Sequence, residues 1–393
     1  MPRVLRIINR LNLGGPTYNA AYLSRYLGSD FETLLVSGMK DDEEESSEYI
    51  VKQLDLHPVY IPEMYRELNP FRDYKSYYRL RKIIEEYKPD IVHTHAAKAG
   101  AIGRLAASHS GVKAIVHTFH GHVFHSYFGS AKTRMFLEIE RYLGRRTNKI
   151  IALSELQKQE LTQEFKIADA GRFQVIPLGF DLNRFTENQE SKRKEFREKF
   201  NIDEDEIAIG IVGRLVPIKN HELFLRGLKQ VSGQTTKKLR AFIIGDGEER
   251  AKIEALAKEL ELPFNNADLR EKNLLTFTSW IKQIDVSNAG MDVIALTSKN
   301  EGTPVSLIEA QASGRAIVST AVGGIGDVVI ADETALLSPS NDVNAFALNL
   351  LKLVENNELR HRMSQRGNAH VIQRFSYQRL CADMRTLYLS LLA

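Results

Sequence analysis

TSKNEGTPVSLIEAQASGRAIVS, residues 297–319, decides the fold. An apolar run, MDVIAL (Met291 to Leu296), leads into it, and a second, AIVST (Ala316 to Thr320), closes it. Between them a polar loop carrying Glu301 opens into a helical pattern that places Glu309 eight residues further on. Thr303 is expected at the N-cap and Pro304 at the first helical position, where a missing N–H costs nothing. Strand, loop, helix, strand is a βαβ unit, and the loop lies at the carboxyl end of its first strand, where open α/β sheets bind ligands. Free amides at the helix start attract phosphate, and the two carboxylates can accept hydrogen bonds from hydroxyls. Phosphate plus several hydroxyls points to a sugar nucleotide. Taken alone the pair is weak, since a solvated loop charge and a surface helix residue would read the same way.

The same alternation runs through the rest of the chain. VLRIIN (Val4 to Asn9), ETLLVSG (Glu32 to Gly38), PVYIP (Pro58 to Pro62), DIVHTH (Asp90 to His95), AIVHTF (Ala114 to Phe119), KIIAL (Lys149 to Leu153) and FQVIPL (Phe173 to Leu178) read as strands, most of them separated by helical patterns. A polar, charged helix, Gln189 to Phe200, is the best linker. A second series follows: EIAIGIVGR (Glu206 to Arg214), LRAFIIGDG (Leu239 to Gly247), LLTFTS (Leu274 to Ser279), MDVIAL, AIVST and ALLSP (Ala335 to Pro339). Three helical stretches from Asp342 end the chain. The class is therefore α/β, with two doubly wound domains in tandem, residues 1–185 and 186–376, and ligand in the cleft between them.

At 393 residues the chain suits two such domains. Apolar content of 43% and charge of 26% are ordinary for a globular protein. The one cysteine, Cys381, excludes an internal disulfide and fits a reducing, cytoplasmic location; its apolar setting points to packing. No run of about 18 apolar residues spans a membrane, and Arg3, Arg6 and Arg10 break any signal-peptide layout. A net charge of +3 is too small to argue for nucleic acid. Up to Phe185, 26 Lys and Arg stand against 22 Asp and Glu, an excess partly hidden by the acidic run Asp41 to Glu45.

Several loops at strand ends could carry chemistry. Gly14 and Gly15 let backbone approach a ligand ahead of a helix, though a tight strand-to-helix turn explains them equally well, and no dinucleotide fingerprint is present. HTFHGHVFHSYF places His117, His120, His122 and His125 together. No carboxylate or cysteine nearby completes a metal site, so none is expected. His120 just past a strand end suits a hydroxyl or phosphate contact; His93 and His95 sit at the equivalent point of the neighbouring strand. Arg214 and Lys219 follow a strand and precede a helix, a position suited to a diphosphate leaving group. Gly245 marks another strand-end turn, and Trp280 with Ile281 could present a ring and backbone to a nucleobase. The string Asp203 to Asp205 matches a metal motif but precedes a strand, at the wrong end of the sheet.

Taken together, VGRL with Lys219 (Val212 onward), IIGDGEER, EGTPVSLIE with its E-x7-E spacing, AVGGIGDVV and VIPLGFDLNRF resemble the motifs of the retaining family-4 glycosyltransferases with the GT-B fold, in family order and nearly end to end. THAAKAG and HTFHGHVFHSYF look like capsular and exopolysaccharide enzymes. The resemblance implies a first domain that binds acceptor, a second that binds the nucleotide-sugar donor, and a final helix (about 377–393) packing back on the first. It implies that Arg214 and Lys219 hold the diphosphate, with Gly213, Gly245, Trp280 and Ile281 in the donor site. Glu301 would bind sugar hydroxyls, Gly302, Thr303, Pro304 and Val305 would contact sugar and phosphate, and Glu309 would take the ribose. Gly14 and Gly15 would close on the diphosphate, His120 would lie at the reacting centre, and His95 would meet the acceptor.

Members need no metal or other cofactor, and retention is thought to proceed by same-face attack. Leu178, Ala316, Gly326, Asp327 and Ala335 depart from common family residues without touching these positions. The implied partners are a UDP-linked sugar and a saccharide or polyprenyl-linked acceptor. Residues 65–88 and 126–146 mix aromatics with basic residues, a pattern that could rest on anionic lipid at the inner face of the membrane. The rival readings are another GT-B enzyme, such as a nucleotide-sugar epimerase, and a non-catalytic sugar-nucleotide-binding subunit.

Overall fold

Fourteen short runs rich in Val, Ile, Leu and Ala pair into two parallel sheets in the computed structural model, which describes residues 1–11, 15–39, 48–121, 130–267 and 272–393. Gly14, His122, His125 and the acidic run at 41–45 lie outside the described residues.

The first sheet comprises β1 (Arg3–Ile8), β2 (Glu32–Gly38), β3 (Val59–Ile61), β4 (Ile91–His95), β5 (Ala114–Thr118), β6 (Lys149–Ala152) and β7 (Phe173–Val175), in the order β3-β2-β1-β4-β5-β6-β7. The second comprises β8 (Ile207–Val212), β9 (Leu239–Ile244), β10 (Phe264–Asn265), β11 (Leu275–Ser279), β12 (Val293–Leu296), β13 (Ala316–Thr320) and β14 (Ala335–Ser338), in the order β10-β11-β9-β8-β12-β13-β14. Every ladder is parallel, so each connection is a crossover, and helices cover both faces. The strand order reverses between β1 and β4 in one sheet and between β8 and β12 in the other. At such a point neighbouring carboxyl-end loops diverge and leave a crevice.

The chain divides into two compact units, Met1–Phe180 with Arg374–Ala393, and Asp181–Gln373. In the first unit, the helix Gly15–Tyr26 and the C-terminal helix Tyr377–Leu392 cover one sheet face through Leu23, Leu380, Met384, Leu387 and Tyr388, with Leu27 just past the first helix. Cys381 is buried in that layer, and burial pushes its thiol up to about 11. The opposite face packs Ile7, Val92 and Ile115 against Leu80, Ile84, Ala99 and Ala106. A buried ion pair stands there: Arg104 Nη2 donates to Glu140 Oε2 at 2.6 Å. In the second unit, Ile209, Ile211, Val293 and Val318 pack on Leu223, Phe224, Leu228, Phe346 and Leu350.

Two local expectations change. The helix after the Glu301 loop runs Val305–Ala312, with Pro304 rather than Thr303 at the cap and no side-chain capping bond. Pro304 has φ −74° and ψ 89°, outside the helical range, so the helix starts one residue later than the sequence signals imply. The two-residue strand β10 carries too little pattern to be seen in sequence.

Candidate active site

In the second unit, the loops after β8 and β12 flank the reversal in strand order and are laced together. Lys299 N–H donates to Ile218 O at 2.8 Å, and Thr297 Oγ1 donates to Lys219 O at 3.1 Å. A single 3-10 turn, Pro217–Lys219, ends at Asn220 in the left-handed region, which turns Lys219 back toward the β12 loop. There Lys219 Nζ donates to Glu301 Oε1 at 2.6 Å. Ser298 Oγ donates to the same oxygen at 2.5 Å. Both partners are largely buried, so this charge-assisted pair is poorly screened by solvent. Arg214 is exposed, and no hydrogen bond or ion pair holds its guanidinium among the described residues.

The backbone around these side chains is tightly built. Gly213 N–H donates to Ile244 O at 3.0 Å, and Gly245 N–H donates to Ser279 O at 3.0 Å, so the ends of β8, β9 and β11 meet. Gly245 has φ +144°, and a Cβ there would fall 2.0 Å from Gly213 O. The Glu301 loop is backed by the turn Gly323–Gly324. Gly324 N–H donates to Glu301 O at 2.9 Å, and a Cβ on Gly324 would stand 1.7 Å from Gly302 O. This contact holds the loop open one residue further than the helix-start signals imply. At the helix start, Pro304 O accepts from Leu307 and Ile308, and the amides of Val305 and Ser306 have no intrahelical partner.

Glu309 lies one turn into this helix and is mostly buried. Its carboxyl is pushed up to about 7 by burial; Arg184 opposes the shift and Asp285 adds to it. Arg184 Nη2 is 3.9 Å away, and Asp285 is itself paired with Lys192 at 2.9 Å. Trp280, 61% exposed, follows β11, with Ile281 half-buried beside it.

In the first unit, Gly15 opens the helix Gly15–Tyr26 at the end of the β1 connection. His120 is half-buried two residues past β5, and its Nε2 lies 2.9 Å from His95 Nδ1. His95 has no exposed surface. Expected to meet an acceptor, it stands behind His120, because helices cover this sheet face. His93 and His117 are also fully buried. His93 bonds Tyr388 Oη at 2.5 Å and Thr118 Oγ1 at 2.7 Å, and His117 bonds Thr94 Oγ1 at 2.8 Å. Burial lowers His93, His95 and His117 well below the usual imidazole value and brings His120 down to about 3, so all four are neutral near pH 7. No group of three or more His, Cys, Asp or Glu suited to a metal occurs among the described residues.

Sequence reading missed Ser298, Arg184, Asp285, Tyr388 and the backing role of Gly323–Gly324. Only Ser298, three residues before Glu301, and the glycine pair carried a local signal.

Two parallel sheets with reversed strand order, and a lysine set against a carboxylate at the carboxyl edge of the second, define a doubly wound α/β protein with a polar site at a strand-order switch point. Two family models agree: "Glycosyltransferase Family 4" matches residues 13–184 and "Glycosyl transferases group 1" matches residues 192–370. The chain belongs to these family-4-type glycosyltransferases. It is 28% identical over 334 residues to the UDP-Gal:alpha-D-GlcNAc-diphosphoundecaprenol alpha-1,3-galactosyltransferase of Escherichia coli, covering 84% of this chain and 83% of that protein. It is 26% identical over 339 residues to the capsular polysaccharide biosynthesis glycosyltransferase CapM of Staphylococcus aureus, covering 86% of each. Anabaena HepE, solved in complex with UDP, shares the GT-B fold at a TM-score of 0.80 and 18% identity, over 99% of this chain and 100% of that one.

Proposed function

We propose that this glycosyltransferase moves a hexosyl or N-acetylhexosaminyl group from a UDP-linked donor, with retention and without a bound metal, to a saccharide or polyprenyl-linked saccharide in cell-surface glycan synthesis. The observation that carries this reading is the Lys219, Glu301 and Ser298 cluster beside exposed Arg214 at the carboxyl edge of the second sheet. A diphosphate needs fixed positive charge as it departs, and sugar hydroxyls need a carboxylate acceptor; both are present within one pair of loops. The names of the relatives support a UDP donor and a lipid-linked glycan acceptor.

Arg214 and Lys219 then hold the diphosphate, with Gly15, Gly213 and Gly245 giving close backbone approach. Glu301 accepts from sugar hydroxyls, and Gly302, Thr303, Pro304 and Val305 line sugar and phosphate. Glu309 takes the ribose, Trp280 and Ile281 the base. The acceptor oxygen bonds to the anomeric carbon on the face the diphosphate leaves, and the acceptor's proton passes to the departing phosphate oxygen. His120 donates to an oxygen of the transferred sugar.

No helix among the described residues is long and apolar enough to cross a membrane. We place the enzyme in the cytoplasm, resting on anionic lipid through exposed Phe71, Tyr74 and Tyr78 and through Met135, Ile139 and Tyr142 beside Arg145 and Arg146. Sedimentation with vesicles independent of anionic lipid would remove that part. The main test is nucleotide release from a panel of UDP-, GDP- and ADP-sugars. A UDP-sugar turned over by the native chain and not by Glu301→Ala supports the assignment; equal hydrolysis by both sinks it, and an isomerised donor would point to an epimerase.

A further inference from the structure

On the sheet face covered by the C-terminal helix, alternate residues of β1, β4 and β5 form a polar column inside an apolar core. Arg6 lies beside His93 in the strand register and Ile8 beside His95. His95 lies beside Thr118, two residues before His120. Arg6, His93 and His95 have no exposed surface. A buried polar atom without a partner is costly, and this column holds three: Arg6 Nε, His95 Nε2 and His120 Nδ1.

The lower half of the column closes on itself. Arg6 Nη2 donates to Tyr388 Oη at 3.2 Å, which leaves the tyrosine's own proton for His93 Nδ1. His93 Nε2–H then donates to Thr118 Oγ1. Both ring nitrogens of His93 are satisfied in one tautomer.

The upper half does not close. His95 Nδ1 and His120 Nε2 face each other at 2.9 Å, and two neutral imidazoles can place only one proton between them. If His120 donates, an N–H is stranded on Nε2 of fully buried His95, within the field of Arg6. If His95 donates, its Nε2 keeps a lone pair in that positive field. The remaining N–H is then Nδ1 of His120, at the strand end. Each arrangement leaves one buried N–H and one buried lone pair without a partner, so the fixed charge of Arg6 in the same column decides: it disfavours an N–H on His95 Nε2 and favours a lone pair there, which selects the second arrangement.

We infer that His95 is a positioning residue whose Nδ1–H holds His120 in the tautomer that offers its free proton from Nδ1 to an oxygen of the transferred sugar. The inference rests on the role given to His120 above. It has a mechanistic consequence: with Nε2 occupied and Nδ1 protonated, His120 has no lone pair left to take the acceptor's proton. The departing phosphate must take it.

Two variants test the assignment. His95→Phe keeps a ring of similar volume without the donor, and His95→Asn returns an amide donor near the position of Nδ1. In protein carrying 15N-labelled imidazoles, the His120 signals are identified among 11 histidines by their loss in His120→Gln. The native chain should show His120 protonated at Nδ1 and bare at Nε2. His95→Phe should shift the proton toward Nε2, and His95→Asn should restore it. With the UDP-sugar that the native chain hydrolyses, His95→Phe should lower kcat about 10- to 100-fold with KM changed less than about threefold, and His95→Asn should recover most of the loss. An unprotonated Nδ1 in the native chain, or a His95→Phe variant with unaltered tautomer and kcat, overturns the inference. The spectrum needs no turnover, so failure to release UDP from any donor would count against the proposed function alone.

Discussion

Lys219 Nζ stands 2.6 Å from Glu301 Oε1, so the cation proposed for the diphosphate is held by the carboxylate proposed for the sugar. Within this pair the charges cancel, and among the described residues the uncompensated cation beside it is Arg214. Donor binding must redistribute that pair, with phosphate oxygens and sugar hydroxyls replacing part of it on each side.

Lys219→Ala should therefore weaken donor turnover in two ways, by losing a phosphate contact and by leaving Glu301 as an unpaired, largely buried charge. A fall in kcat/KM of about 10²- to 10³-fold is expected. Lys219→Ala combined with Glu301→Gln should be more stable than Lys219→Ala alone, since it also removes the stranded charge. Urea unfolding of both variants checks this; equal midpoints would mean the pair is not coupled.

Glu309 gives a pH dependence with a definite sign. Its carboxyl is raised to about 7 from an ordinary 4.5, first by burial. The raised value favours the protonated folded form, so the group's stabilising contribution is full below pH 4.5 and is lost as pH rises through 7. The shift corresponds to about 3 kcal/mol at most. Urea midpoints measured from pH 5 to 8 should fall more steeply for the native chain than for Glu309→Gln. Affinity for UDP-glucose, whose diphosphate does not titrate in this range, should rise over the same interval if ribose hydroxyls donate to the ionised carboxylate. Arg184 and the Asp285–Lys192 pair are the charges facing this group.

Gly324→Ala should be far more damaging than its size implies. The added methyl would meet the Gly302 carbonyl at 1.7 Å, and backbone cannot rotate away as a side chain can. We expect a loss of about 2–4 kcal/mol in the second unit, read as a lowered thermal midpoint, together with reduced donor hydrolysis. An unchanged midpoint would show that the Glu301 loop is not held by this turn.

Trp280→Ala should do the reverse. The ring is 61% exposed, so stability should move by no more than about 0.5 kcal/mol. If a base stacks on it, the KM for a UDP-sugar should rise about 5- to 100-fold, corresponding to about 1–3 kcal/mol. A KM within twofold of native would remove Trp280 from the base site.

The strands were legible because a parallel strand buried on both faces needs an apolar centre; β2 and β13 have one in Leu34–Val36 and Ala316–Val318, and the runs read around them coincide with the observed strands. The C-terminal helix was legible from end to end as well. What escaped was set from a distance. The cap moved from Thr303 to Pro304 because of a turn some twenty residues later in the chain, which no local signal reports. His95 reads in sequence as a strand-end residue free to meet ligand. Whether that face is open depends on a helix nearly 300 residues away, since Tyr388 meets His93 at a separation of 295. Ser298 lay in plain view, but a serine in a polar loop says nothing until Glu301 is placed beside it.

The division of the chain also sets an order of assembly. The second unit is one uninterrupted segment, Asp181–Gln373, whereas the first needs both Met1–Phe180 and Arg374–Ala393. Domains tend to fold as they leave the ribosome, first-made first. Here the first unit must wait: Arg6 meets Tyr388, 382 residues further along the chain, only once the segment after the second unit has been made. The first unit is the last to close, and a released chain truncated after residue 373 would carry the full second unit and an unsealed first one.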